Sequence, residues 1–323
     1  VPHEGSSHEA RADTPTPHRA HGLTSIVEIL RCPVCTGPLS VDGTALRCPD
    51  AHSFDIARQG YVSLLDGRSG SLRADTAAMV AARARVHDAG FFAPVVDSVA
   101  RLTAEFASGV PRPVILDAGA GGGHYLRAAV AASGTSDGVV ESPVAGIGID
   151  LSKYCARAIA RGPHALAAVV GDVWRELPVV DDAVSVVLSV FAPRNATEFA
   201  RVLTPDGALI IVSPGPDHLS ELIEPMEMLR VDAAKSARLH AALDDGFELV
   251  DEAPLRYTAD VGAGIIGDLV AMGPSAFHSE EADIRSRADD FAGDGRVPVT
   301  VSVVVTTCRP TRGRRPDQRR TDS

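Results

Sequence analysis

Lysine is nearly missing from this chain of 323 residues: only Lys153 and Lys235 occur, so almost all of its 31 basic residues are arginine. Arginine's planar fork suits phosphates and bases, and a genome rich in G and C produces the same bias; composition leaves both readings open. Aromatic residues make up only 4% of the chain, with a single tryptophan, Trp174. Long apolar runs are absent too. The longest, such as Ala183 to Ala192, reach about half of a membrane span, which excludes a spanning helix. The five cysteines form an odd set with three clustered at Cys32, Cys35 and Cys48, unlike the even framework of a small secreted protein, and fit reduced thiols. No charged-then-apolar targeting pattern occurs. The expectation is a soluble, cytoplasmic protein without a membrane partner.

What is present is ordinary for a globular chain: 45% hydrophobic and 23% charged residues. The length suits one large α/β domain with a small appendage. The net charge of -11 disfavours a nucleic-acid partner until it is divided along the chain. Residues 1–112 hold 11 Arg against 12 acidic residues, residues 113–308 hold 14 basic against 28 acidic, and residues 309–323 hold 6 Arg against 2 Asp. The acidity belongs to the middle, so RNA phosphates would have to meet the near-neutral N-terminal part and the Arg309–Arg320 tail.

The organisation expected is a disordered extension over 1–23, a small metal-binding module over 24–66, a helical linker over 67–108, a large α/β domain over 109–310 and a basic disordered tail over 311–323. Within the linker, the Ala/Arg-rich stretch from Asp75 to Ala107 reads as helix broken near Gly90. From Pro113 short β-branched runs alternate with Ala-rich helical segments, and Phe247–Tyr257 and Pro298–Cys308 add two late strands, with no internal repeat. This βαβ alternation implies a mostly parallel, doubly wound sheet with helices on both faces.

Asp117-Ala-Gly-Ala-Gly-Gly-Gly-His leaves the first strand of that domain and enters a helix. Gly119, Gly121 and Gly123 allow positive φ and close backbone approach to a ligand. A nicotinamide fingerprint would want Gly-x-Gly-x-x-Gly; here His124 stands at the third glycine's place and Asp117 precedes the first glycine by two residues. That spacing resembles the first motif of class I methyltransferases, which bind S-adenosylmethionine. Asp150, in Ile149-Asp150-Leu151, ends the next strand where ribose hydroxyls would be bound, and Asp172 ends the third where that family contacts adenine. Each carboxylate alone reads equally well as a solvated loop residue; the ordered trio after a glycine-rich turn favours the cofactor.

Cys32-x2-Cys35, twelve residues, then Cys48-x3-His52 supplies three thiolates and an imidazole, the closed tetrahedral set of a structural zinc. A redox role for the Cys pair would need a thioredoxin-like βαβ context, which is missing. Arg31, Arg47, Arg58, Arg68 and Arg73 surround the module, as solvated surface or as a phosphate-facing set; both stand.

The zinc module followed by His52-Ser-Phe54-Asp-Ile-Ala-Arg-Gln-Gly60-Tyr61, then Asp88-Ala-Gly90-Phe-Phe92, Asp117 to Gly123, Val190-Phe-Ala-Pro-Arg194-Asn195 and Ser213 to His218, resembles the 23S rRNA guanine-N1 methyltransferases over about Arg31 to Pro310. Ala271 to His278 and Cys308-Arg-Pro resemble the actinobacterial tylosin-resistance branch. The resemblance implies a class I, Rossmann-like S-adenosylmethionine methyltransferase domain with an N-terminal zinc-binding module. It implies methyl transfer to N1 of a guanine in hairpin 35 of 23S rRNA, guanosine 748 by that branch, with macrolide resistance as the outcome. It also implies zinc at Cys32, Cys35, Cys48 and His52, and cofactor contacts at Gly121, Gly122, His218 and Phe92. Phe92 stands where many members have Tyr, and Gly122 where others have Glu.

With Asp117, Gly119, Asp150, Leu151 and Asp172, these residues are the expected cofactor site. Arg194 and Asn195 are the expected holders of the base edge, since an amide both donates and accepts; Asn195 reads equally as a helix N-cap. Phe92, Phe191 and Trp174 are candidates either for the core or for stacking on an unstacked guanine. Two rivals remain: a small-molecule methyltransferase, which would act without rRNA, and a non-catalytic zinc-containing RNA-binding protein, which would not bind the cofactor. A homodimer is compatible with the sequence and not required by it.

Overall fold

A computed structural model describes residues 21–65, 73–136, 139–140, 144–163, 166–228, 243, 246–277 and 279–311. The extension before residue 21, Arg68, His278 and the basic tail beyond residue 311 lie outside the described residues.

The chain opens with a helical turn, α1 (His21–Thr24), and a small antiparallel sheet of β1 (Ser40–Asp42), β2 (Ala45–Arg47) and β3 (Ser53–Asp55). Next comes β4 (Tyr61–Ser63). The Ala/Arg stretch divides into α2 (Ala77–Asp88) and α3 (Ala93–Ala107). Thr76 caps α2 by accepting from Met79 N–H at 3.2 Å, and Gly90, at φ +75°, turns the chain between the two helices.

The alternating segments then form β5 (Val114–Ala118), α4 (His124–Ser133), a short pair β6 (Thr135–Ser136) and β7 (Val139–Val140), β8 (Ala145–Asp150), α5 (Lys153–Ala160), β9 (Leu166–Val170), β10 (Val184–Val190), α6 (Ala196–Val202), β11 (Leu203–Pro214) and α7 (Ser220–Ile223). The late segments are β12 (Phe247–Val261), α8 (Ala263–Ala271), α9 (Glu281–Ala292) and β13 (Val297–Pro310).

One eight-stranded sheet has the order β12-β13-β11-β10-β5-β8-β9-β4. The pairs from β11 through β4 are parallel, while β13 runs antiparallel between β11 and β12. The expected doubly wound α/β sheet is therefore observed. Its central strands β5, β8, β9 and β10 are buried on both faces, whereas the edge strand β12 is largely exposed; alternation in β10 sends Val186, Leu188 and Val190 to one hydrophobic cluster and Val187 to the other. The first cluster takes residues of α3, α4, α5, α8 and α9; the second takes α6 and the N-terminal segment.

That second cluster ties the metal module to the large domain. Leu23, Ile26, Leu30, Leu46 and Cys48 share a core with Leu177, Val179 and Phe199, and β4 adds parallel to β9 with Tyr61 opposite Ala168 and Ser63 opposite Val170. Arg31 completes the junction, pairing with Glu176 at 2.5 Å and Asp181 at 3.8 Å.

Over the carboxyl ends of the central strands, α2 packs on α8 and α8 on α9. Buried Asp268 of α8 joins the three: both of its oxygens accept from Arg85 of α2, at 2.8 and 2.6 Å, and one accepts from Arg285 of α9 at 2.5 Å. Burial opposes the charge on Asp268, but the bonds from Arg85 and Arg285 hold its carboxyl below the usual range. An acid depressed in the folded state stabilises above its ordinary pKa and loses that contribution as pH falls through the folded one. Asp268→Asn is expected to cost about 2–4 kcal/mol at neutral pH. The gap from wild type should narrow on acidification in thermal denaturation.

Candidate active site

The glycine-rich turn is shaped by close approaches that side chains would prevent. Gly119, Gly121 and Gly123 have φ of +83°, +52° and +76°. A Cβ on Gly119 would stand 2.6 Å from Ala192 Cβ in the segment after β10, and one on Gly121 would stand 3.1 Å from Arg83 Nη1. Gly119 and Ala120 donate to Ile149 O at 2.8 and 3.1 Å. Asp150 accepts from Gly121 N–H and from Ser152 N–H, both at 2.8 Å. Asp172 accepts from Trp174 N–H at 3.0 Å.

These strand ends enclose a cleft with two adjoining lobes, of about 340 and 270 Å³. The larger contains Asp150, Leu151, Asp172 and Trp174; the smaller contains Phe92, Asp117, Gly122, His124, Tyr125 and His218. Arg83, Gly119, Gly121 and Phe191 border both, and Met272–Pro274 close them from above. All nine residues expected at the cofactor thus line one cleft at the carboxyl ends of parallel strands, where open α/β sheets bind ligands.

The smaller lobe has the electrostatics of a cation site. Asp117 is buried, and burial, then the Asp150 charge, push its carboxyl up to about 7. Its Oδ2 and the Tyr125 hydroxyl oxygen are buried without hydrogen-bond partners. A ligand ammonium would supply the donors and the charge that these atoms lack. At the lobe's wall His87 and His124 stack with ring centres 4.1 Å apart and planes 3° from parallel. Burial, then like charge, lowers His87 to about 3 and His124 to about 4, so both rings are neutral near pH 7. Burial lowers His218 to about 4, and its Nδ1 accepts from Ser302 N–H at 3.3 Å.

Arg83, His87 and Tyr125 were not singled out from the sequence. Arg83 pairs with Asp75 at 2.6 Å and donates to Met272 O at 3.0 Å, reaching across the turn from α2. The basic residues Arg83, Arg85 and His87 at every second position of α2 were the available signal.

Arg194 and Asn195 line neither lobe. The Arg194 guanidinium donates to Ser213 Oγ at 2.8 Å. Asn195 caps α6, accepting from Glu198 N–H at 3.4 Å, and donates to Val173 O and Arg175 O at 3.1 Å each. Its amide holds the loop that carries Asp172 and Trp174. Of the aromatic candidates, Phe92 is buried, whereas Trp174 is 61% and Phe191 40% exposed.

In the N-terminal module, Cys32, Cys35, Cys48 and His52 bring four ligand atoms within 4.8 Å of one another. Cys35 and Cys48 sulfurs are 3.7 Å apart, and His52 Nδ1 is 3.7 Å from Cys32 Sγ and 3.3 Å from Cys48 Sγ. Tetrahedral bonds of about 2.0–2.3 Å give ligand separations of about 3.5–3.8 Å, so the set fits zinc with no open position. Among the surrounding arginines, Arg31 is taken by the Glu176 and Asp181 pairs, Arg47 pairs with Asp42 at 3.1 Å, and Arg73 lies over the Phe277 ring at 5.7 Å.

Residues 30–67 match the zinc-ribbon family described as "RlmA, N-terminal". The chain is 40% identical over 287 residues to a Streptomyces fradiae protein, 23S rRNA (guanine(748)-N(1))-methyltransferase, covering 88% of this chain and 98% of that one. It belongs to the 23S rRNA guanine-N1 methyltransferase family. A Bacillus subtilis member, provisionally named as a 23S rRNA guanine-N1 methyltransferase, is 31% identical over 85% of this chain and 96% of its own. Among solved structures, an S-adenosylmethionine-dependent methyltransferase from Geobacter sulfurreducens aligns at 15% identity over 66% of this chain and 90% of that one, with a TM-score of 0.40.

By its family membership the enzyme is a methyltransferase, and the three cysteines and one histidine of its zinc ribbon are the ligand set of a structural zinc. Removing the metal by chelation, or one ligand by Cys35→Ala, is expected to abolish zinc in elemental analysis and lower the melting temperature of the whole chain, because the module shares its core with the sheet.

Asp117 makes a second prediction. An acid raised in the folded state binds protons better folded than unfolded, so stability falls as pH rises from its ordinary value toward about 7. Asp117→Asn should melt with wild type at pH 4 and above it at pH 8. S-adenosylhomocysteine should stabilise wild type more than the variant in thermal shift.

Proposed function

We propose that this methyltransferase modifies N1 of guanosine 748 in hairpin 35 of 23S rRNA in the cytoplasm, and that the modification confers resistance to tylosin-type macrolides. The observation that carries the reading is the 40% identity to the Streptomyces fradiae enzyme across nearly its full length, which takes in both the zinc ribbon and the catalytic domain.

S-adenosylmethionine supplies an activated methyl group on a sulfonium. The larger lobe suits its adenosine half: Asp150 offers carboxylate oxygens at the ribose position, and Asp172 stands at the end of β9 for the adenine. Asp117 and Tyr125 suit the ammonium of its methionine half. Bound there, the cofactor would supply its methyl group by in-line displacement, a C–N bond to N1 replacing the C–S bond whose electron pair would stay on sulfur. The chain's contribution is alignment and exclusion of water, given by the Gly119–Gly123 turn below and Met272–Pro274 above.

The N1 proton would leave to a carbonyl, a water or a nearby side chain. With their side chains engaged at Ser213 and at the Val173–Arg175 loop, Arg194 and Asn195 are best read as positioning residues that fix the loops bordering the base. With that support removed, Asn195→Ala should loosen the loop that carries Asp172, weakening cofactor affinity in calorimetry and slowing single-turnover methylation together.

Incubation of the protein with labelled S-adenosylmethionine and 23S rRNA from a strain lacking the modification is expected to give a primer-extension stop at guanosine 748. Cofactor binding without incorporation into RNA would instead identify a small-molecule methyltransferase.

A further inference from the structure

Phe191 follows β10 with a backbone φ of +52°, and it is the only aromatic among the six non-glycine residues with positive φ among the described residues. The left-handed region crowds Cβ against the following carbonyl, so a bulky side chain is rarely held there. Here the conformation is pinned by the Phe191 N–H donating to Val212 O at 3.0 Å. The ring is only partly buried in exchange, being 40% exposed although the seven residues before it in β10 are all buried. Strain held in place at the mouth of a cleft indicates a use for the side chain's direction rather than for its packing.

That direction places Phe191 on the border of both lobes. Its ring centre lies 5.6 Å from that of His218, with planes 28° apart, and 5.8 Å from that of buried Phe92. His218 and Phe92 are themselves near parallel, at 24° and 6.3 Å. The Ser302 N–H bond to His218 Nδ1 puts the proton of the neutral ring on Nε2. The result is an exposed ring over the junction of the lobes, backed by two others, beside a hydrogen-bond donor.

We propose that Phe191 is the stacking platform for the acceptor guanine, holding its face against the ring so that N1 meets the methyl group at the junction of the two lobes. This rests on the proposed rRNA reading and adds to it the residue that receives the base. A flat heterocycle drawn out of a hairpin loop loses its stacked neighbours, and an exposed aromatic ring replaces one of them. His218 then donates from Nε2 toward the acceptor edge of the base or the cofactor.

The test compares Phe191→Tyr, Phe191→Leu and Phe191→Gly in three measurements: single-turnover methylation of 23S rRNA, affinity for S-adenosylhomocysteine by calorimetry, and melting temperature. Trp174, the single tryptophan, lines the larger lobe and gives an independent fluorescence readout of ligand binding. Tyr should keep the rate within about threefold, since the ring face is retained. Leu and Gly should slow it by about tenfold or more, the scale of one lost base–aromatic stack. Cofactor affinity should stay within about twofold in all three, because the lost contact is to the base.

Phe191→Gly should melt at or above wild type, since glycine relieves the left-handed strain, and a slower yet no less stable protein is a pattern that a packing role does not give. Leu and Gly variants that methylate at the wild-type rate would overturn the proposal, as would cofactor affinity falling in step with rate, which assigns the ring to the cofactor. Failure of the wild type itself on rRNA, with the cofactor bound, would remove the rRNA reading and this proposal together.

Discussion

The active site depends on the close approach of the Gly119 turn to the segment that follows β10. With a Cβ at Gly119 only 2.6 Å from Ala192 Cβ, any side chain would drive the two apart. Their contact sets the floor at the carboxyl ends of β5 and β10. The second tie, from Gly121 N–H to the Asp150 carboxylate, joins that floor to β8. Asp150 is spread between the backbone donors of the turn and of Ser152, which partly offsets the cost of burying it; its carboxyl is raised by burial and lowered by those two bonds. Asp117 has no such relief at Oδ2, and the difference separates a carboxylate that organises the turn from one that awaits a charged ligand.

Charge is divided between the same two tasks. The acidic middle of the chain serves internal ion pairs and a cationic cofactor, while the arginines of the N-terminal region are in part already committed. Arg31 spends its guanidinium at the module junction, and Arg83 and Arg85 spend theirs on Asp75 and Asp268. The arginine richness visible in the composition is thus partly the richness of a scaffold, in which a planar fork can bridge three elements at once.

Fold and cofactor cleft were largely legible because their signals are local. β-branched runs between Ala-rich helices specify the parallel sheet, glycines with an acidic residue two positions ahead specify the turn, and Cys-x2-Cys with Cys-x3-His specifies the metal set. What was not legible came from long-range packing. Three residues, Tyr61–Ser63, carry no pattern that announces a strand joining β9. His87 and His124 stack only because α2 is folded back over α4's start. Asn195 is suited both to a base edge and to a helix cap, and only coordinates show its amide occupied. Phe191's left-handed backbone is invisible for a different reason: the residue type argues against it.

The seating of β4 beside β9 has a further meaning for the chain as a physical object. A parallel sheet ends in a row of unpaired amides and carbonyls, and such an edge is a template for association with any other strand. In this enzyme the strand that covers β9 is delivered by the segment that carries the set of three cysteines and one histidine and shares its core with the sheet. A structural zinc in that segment would therefore also help, at a distance from the cleft, to keep the β9 edge covered.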